Sequence, residues 1–325
     1  MSDPRHYTIG WVCAVRVEFV AAQQLLERKY GQPRTIHPSD QNGYALGSIS
    51  GHNVVIATLP QAEYGVPSAA RVAANMVASF PNVRFGLMVG IGGGAPSRKF
   101  DIRLGDLVIS MPGGSDHGAL EYVLENTARG RTTRVVRKLD PPPMMLRNAV
   151  GALHGKYGKD RNQIHHTIDG VIARVPRMRG EFARPHPSRD RLFKSNVVYN
   201  PRRPVQASDL VPRRTRAPHE SPAIYYGTIA SANTLMKDAT LRDNLIAERN
   251  VLCFEMEAAG LMNHFPCIII RGICDYSDTS KNDDWQGYAA IVAAAYAKDL
   301  LKVIAPKDVL AERTIQEVTG VRPFR

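Results

Sequence analysis

The apolar positions of the chain change spacing several times, and the changes mark alternating strands and helices. Residues 7–14 are β-branched and apolar and read as a buried strand. Over 15–29 the spacing becomes helical, with Phe19, Ala22, Leu25 and Leu26 on one side. Residues 44–49 and 54–59 flank Ser50-Gly51-His52-Asn53 and read as a hairpin. An Ala-rich stretch over 67–80 predicts a helix. A short apolar strand over 85–89 is followed by Gly90-Ile91-Gly92-Gly93-Gly94, and further elements are a strand over 106–110 and a helix over 144–155.

Residues 157–222 change character. They are rich in Arg, Pro and His and poor in periodic apolar positions, which predicts a loop-rich, partly mobile insertion. Order returns with a strand over 224–231, a helix over 238–249 and a short strand over 251–254. A helix opens at 257–263. The stretch 267–274 is an apolar strand interrupted only by Arg271 and Gly272, and 285–304 is a long Ala-rich helix. Strands alternating with helices predict an α/β fold with a largely parallel sheet. The apolar strands on either side of the insertion need each other to complete that sheet. Residues 1–325 are therefore read as one domain that carries the insertion 157–222 within it, and no internal repeat is visible.

Composition adds three points. The chain has 325 residues, 44% hydrophobic and 22% charged, enough to bury a full core. Its formal net charge of +12 favours polyanionic partners: nucleotides, nucleic acid or an acidic surface. The stretch from Arg174 to Glu220 holds 12 Arg and Lys against 4 Asp and Glu, so it carries +8 of that charge and the rest is close to neutral. The four cysteines form no CxxC pair and sit in apolar contexts, as free thiols in a reducing compartment do. Residues 1–5 are polar, and no run approaches the ~18 apolar residues of a membrane span. A cytoplasmic or nuclear protein without a membrane partner is expected.

Four features could carry chemistry. The glycine run fits a loose dinucleotide pattern, but Pro96, Arg98 and Lys99 follow where the helix of such a motif should begin, and no P-loop Lys-Ser or Lys-Thr is present. It reads either as a strand-exit turn or as bare backbone that a ligand can approach closely. In Phe254-Glu255-Met256-Glu257-Ala258-Ala259-Gly260, two acids stand at a strand-to-helix junction. A helix dipole accounts for one of them. Asp275, in Arg271-Gly272-Ile273-Cys274-Asp275, stands at the carboxyl end of an apolar strand, where α/β sheets place functional groups. Glu18 follows the first strand and alone reads as an ordinary surface glutamate.

Taken together, the glycine-rich segment, Met-Glu before Ala-Ala, and Arg-Gly-Ile-Cys-Asp resemble the purine nucleoside phosphorylases and the methylthioadenosine/S-adenosylhomocysteine nucleosidases in order and spacing. The similarity is closest to the fungal nucleoside phosphorylase domains found fused to NACHT, ankyrin or TPR regions. It also runs through Ile9 to Ala14, Tyr226 to Ser231, Cys253 to Gly260 and Asp275 to Trp285, covering roughly 7–302 with the insertion poorly matched. The resemblance implies a three-layer phosphorylase-type α/β fold with a mixed, largely parallel central sheet flanked by helices. It implies cleavage of the N-glycosidic bond of a purine nucleoside or nucleotide, no cofactor, no metal, and a homo-oligomer. By the same resemblance, Asp275 protonates purine N7 and Glu18 orients the attacking water. Glu257 binds the ribose hydroxyls, with Met256 packed on the sugar, and Gly90, Gly92 and Gly93 line the sugar or phosphate side. Ser231, Asn233 and Phe254 belong to the same pocket. The chemistry suits these types, because breaking the bond builds positive charge on the sugar and negative charge on the leaving purine.

Two departures bear on the nucleophile. Met88 and Ile91 stand where bacterial hexameric phosphorylases carry an Arg and a Ser for phosphate, which favours water over phosphate. Arg16 and Arg71 are the candidates that could still form a phosphate contact. Ser231-Ala232-Asn233 replaces a Ser-Gly-Asn segment, and Glu121-Tyr122-Val123 replaces Gln-Tyr-Asp. Two alternatives stand beside catalysis: a silent nucleoside-binding or interaction module, and a nucleic-acid binder working through the basic insertion. No nucleic-acid-binding signature supports the latter.

Overall fold

The computed structural model describes residues 2–320 except Ser115, Arg129, Pro218 and His219. The strands are β1 (Ile9–Cys13), β2 (Arg28–Tyr30), β3 (Tyr44–Ile49), β4 (His52–Thr58), β5 (Phe85–Gly94), β6 (Leu107–Ser110), β7 (Ala119–Thr127), β8 (Gly130–Lys138), β9 (Ile224–Ser231), β10 (Val251–Glu255) and β11 (Cys267–Asp275). The helices are α1 (Arg16–Leu25), α2 (Val66–Ser79), α3 (Met144–Lys159), α4 (Ile164–Arg174), α5 (Arg179–Phe182), α6 (Ala239–Arg249), α7 (Gln286–Lys302), α8 (Pro306–Ala311) and α9 (Ile315–Thr319).

All the strands join one mixed sheet, in the order β2-β3-β4-β1-β5-β11-β6-β9-β7-β8, with β10 pairing to both β5 and β9. The central pairings β4–β1–β5–β11 are parallel, and the hairpins β3–β4 and β7–β8 at the two ends are antiparallel. Because β10 bridges β5 and β9, the strands β5, β11, β6, β9 and β10 close into a circuit. β1 and β11 are buried along their whole length, as apolar runs in a parallel sheet covered on both faces should be. α7 is the main helix against them: it lies on β11 and β5, and its alanine-rich surface is buried on nearly every side. Among the described residues no helix is long and apolar enough to cross a membrane.

Three regions differ from the sequence expectation. The glycine run is not a turn, because β5 continues through it to Gly94 and pairs with both β11 and β10. The helix expected at 257–263 is a single 3₁₀ turn, Ala258–Gly260, followed by further turns. The Glu255 carboxylate accepts the Glu257 and Ala258 amides, much as a capping side chain does, but the chain leaves the helical path after Gly260. The insertion is more regular than its composition suggests. It contains α4 and α5, and Ile164, Ile168, Val171, Ile172 and Phe182 are buried in the main core, with both helices packed on α7. Its arginines hold it to the body: Arg216 pairs with buried Asp106 at 2.6 Å, Arg213 with Asp101 at 3.5 Å and Arg189 with Asp284 at 2.9 Å.

Candidate active site

β1 ends at Cys13, and the chain turns directly into α1, which brings Glu18 back over the strand ends. The Glu18 carboxylate accepts the Ala14 N–H at 2.5 Å and the Val15 N–H at 3.1 Å through Oε2, and the Ile91 N–H at 2.8 Å through Oε1. Only 3% of Glu18 is exposed, so it is not the surface glutamate that its sequence context suggests. Gly90 makes this position possible. A Cβ there would collide with the Glu18 carboxylate and the Arg271 guanidinium.

Arg271, in the middle of β11, is wholly buried and faces three carboxyl groups. Its Nη2 donates to Glu255 and lies 3.4 Å from Glu257 Oε2, and its Nη1 is 4.0 Å from Glu18 Oε1. Burial alone would disfavour the Arg271 charge, but Glu255, Glu257 and Glu18 more than offset it and raise its pKa. Burial raises Glu18, opposed by Arg271 and the three backbone N–H donors. Burial likewise pushes Glu257 up to about 7; Arg271 opposes the shift and Glu255 adds to it. One guanidinium thus faces three buried carboxyl groups, and burial weakens the acidity of two of them, Glu18 and Glu257.

Asp275 closes β11 at the other end of the site. The Ser277 N–H donates to its Oδ1 at 2.8 Å and Lys281 Nζ to its Oδ2 at 2.9 Å. Ser277 takes a left-handed backbone, φ 53°, a costly conformation for a residue with a side chain. Gly93 leaves room for this turn, since a Cβ there would strike the Ser277 hydroxyl and the Asp275 carboxylate. The Asp275 and Glu18 groups thus stand against two glycines three residues apart on β5.

The remaining expected residues take several positions. Met256 is half-buried beside Glu257. Ser231 is buried, and its hydroxyl accepts the Ala259 N–H at 3.0 Å, which fixes the turn that carries Glu257. Phe254 is buried edge-on against Tyr122 at 5.8 Å, and Gly92 backs onto Cys253. Asn233 is exposed, and its Oδ1 accepts the Val66 N–H at 3.2 Å. Arg16 and Arg71 are held in exposed pairs with Glu181 and Glu63. Three residues of the site carry no role in the sequence reading: Glu255, Arg271 and Lys281. A charged residue inside an apolar strand was the visible signal for Arg271, whereas Lys281 sits in a loop without any. The four cysteines are buried, and burial raises each thiol. Among the described residues no group of three or more His, Cys, Asp or Glu is arranged to hold a metal ion.

This fold is shared with solved nucleosidases. Futalosine hydrolase of Helicobacter pylori superposes with a TM-score of 0.57 at 14% identity, over 92% of this chain and 99% of that one. The 5′-methylthioadenosine/S-adenosylhomocysteine nucleosidase of the same organism gives 0.58 at 14%, with the same coverage. The corresponding enzyme of Neisseria meningitidis gives 0.56 at 16%, over 91% and 99%. The chain therefore shares the fold of these nucleosidases, as the sequence resemblance implied.

Among curated proteins, a nucleotide-binding leucine-rich repeat (NLR)-like protein of the fungus Hyaloscypha variabilis is 40% identical over 314 residues, 96% of this chain and 31% of that protein. The ATP nucleosidase Cap17 of Escherichia coli is 33% identical over 81 residues, 23% of this chain and 16% of that protein. The chain thus spans less than a third of the curated relatives it matches. No family model matches it.

Proposed function

We propose that this domain hydrolyses the N-glycosidic bond of a purine nucleoside or nucleotide. One observation carries the reading: Glu18 and Asp275 both lie against the glycine segment of β5, at Gly90 and Gly93, with Glu257 beside Glu18 at the Arg271 guanidinium. The bare backbone between the two acids is where a nucleoside can approach the strand closely. Asp275 supplies the proton to N7 of the leaving base. Oδ2, which Lys281 contacts at 2.9 Å, is the oxygen that would exchange this partner for the purine nitrogen, and the proton it passes on would come from water. Ionised Glu257 accepts from the ribose hydroxyls and favours positive charge on the sugar, with Met256 against the ring. Glu18, anchored by three backbone N–H groups, orients the water. Because an ATP nucleosidase is among the relatives, ATP is the first nucleotide to test.

Water is favoured over phosphate on electrostatic grounds. Glu18, Glu255 and Glu257 crowd one guanidinium, and a phosphate beside them would be repelled. Met88 and Ile91 offer no donor side chains, and Arg16 and Arg71 are committed to carboxylates of their own. The test is product identity from adenosine, inosine, guanosine and ATP, in buffers with and without phosphate. Free base and ribose, or its 5′-phosphorylated form, are expected in both. Ribose 1-phosphate formed only with phosphate present would overturn the hydrolase reading.

A further inference from the structure

The insertion and the residues it packs on form a cationic cleft, of about 400 Å³, against the start of α7. That size is within the range of ligand sites. Six guanidiniums line it, those of Arg103, Arg184, Arg191, Arg213, Arg214 and Arg216. Four of them answer to carboxylates: Arg103 and Arg213 to Asp101, Arg214 to Glu220 and Arg216 to Asp106. Asp190 is the one acid in the lining, and it accepts from the Tyr276 hydroxyl. Six positive charges therefore face four carboxylates. The surplus is Arg184 and Arg191, both exposed, neither with an ion pair or hydrogen bond among the described residues. Trp285 is also in the wall; it is 1% exposed, and its indole N–H has no acceptor. A buried donor without a partner is uncommon in folded proteins.

We propose that this cleft binds a phosphate-bearing small molecule distinct from the glycosidic substrate. Guanidinium forks match phosphate oxygens two at a time, and several of them in one cleft suit a chain of phosphates better than a single anion. Arg191 also lines the small cavity that holds Asp275 and Lys281, so the cleft adjoins the base end of the site. The distinction from substrate rests on the function proposed above. A nucleoside with its base on Asp275 and its sugar beside Glu257 lies along the glycine segment of β5 and not in this cleft, so the two should fill independently.

The test is calorimetric titration of the full chain with inorganic tripolyphosphate, which needs no turnover and so stands apart from any failure of the glycosidase reading. The Arg184→Ala/Arg191→Ala variant should bind at least about tenfold more weakly. Arg16→Ala/Arg71→Ala and saturating adenosine should leave the affinity unchanged. Titration of Asp275→Asn with ATP then separates the sources. Two ATP per chain, one of them lost when Arg184 and Arg191 are also replaced, identifies a nucleotide; one ATP, unaffected by that change, identifies a free polyphosphate. The proposal is overturned by no tripolyphosphate binding, by unchanged affinity in the Arg184→Ala/Arg191→Ala variant, by displacement with adenosine, or by tighter binding of a single-stranded oligonucleotide than of tripolyphosphate.

Discussion

The two ends of the site are built in opposite ways. At the Arg271 end, three carboxyls from three different elements converge on one wholly buried guanidinium, and strand and turn amides hold them in place. At the Asp275 end, a single carboxylate sits at a strand terminus, held by one amide and one partly exposed lysine, with a left-handed serine beside it and the insertion packed over it. The first end is part of the core, so its charges are bound up with folding. The second is equally buried, but its acid sits at a strand terminus among fewer charged partners, so it can change with less disturbance to the sheet. Stability and catalysis should therefore separate when the two ends are mutated.

The largest effect on activity belongs to the Asp275 end. Asp275→Asn should lower turnover by ~10²–10⁴-fold, the usual size of a general-acid contribution, while the melting temperature stays close to wild type. Near-normal cleavage of a natural purine nucleoside by this variant would remove Asp275 from the mechanism. A large fall in melting temperature would instead break the contrast between the ends.

At the core end the largest effect is on folding. Arg271→Met removes the cation and leaves Glu18, Glu255 and Glu257 buried without it, which should cost about 3–5 kcal/mol of stability. Chemical denaturation measures this directly. Arg271→Lys keeps the charge but loses the fork, so it should fall between wild type and the methionine variant. A methionine variant as stable as wild type would show that the three carboxyls are already neutral in the folded protein.

Much of this was legible in the sequence, for physical reasons that also mark its limit. Glu18, Glu257 and Asp275 each follow an apolar strand, and strand ends are where chemistry collects in α/β sheets. Glu255 and Glu257 look alike in sequence. Only the fold shows that Glu255 takes the amides of the turn while Glu257 stays beside Arg271 and Glu18. The β7–β8 hairpin escaped notice because β8 is exposed along most of its length and burial in β7 is confined to its first residues, which leaves little apolar alternation to read. In α4, Ile164, Ile168, Val171 and Ile172 do have helical spacing, but they lie among arginines and prolines whose composition reads as loop. The glycine run could not declare itself as strand, because its lack of side chains serves groups from distant parts of the chain.

The subtlest expectation concerns Glu257 and pH. Its folded pKa of about 7 lies above the ordinary 4.5, chiefly because burial disfavours the charge. A carboxyl raised in this way contributes its full stability below about 4.5 and loses it as pH rises through 7. Glu257→Gln has no charge to bury, so its melting temperature relative to wild type should climb from pH 5 to pH 8. Activity should move the other way. The ionised form is the one that accepts from the sugar hydroxyls, so wild-type kcat/KM should fall as pH drops below about 7. The glutamine variant should lose that limb, together with part of the preference for ribosides over 2′-deoxyribosides. Thermal melts and kcat/KM profiles across pH 5–8 test both halves. A constant melting difference would mean that burial does not govern Glu257, and an unchanged riboside preference would mean that another group reads the sugar. If both hold, the Arg271 end of the site gives up stability at neutral pH to keep a carboxylate facing the ribose.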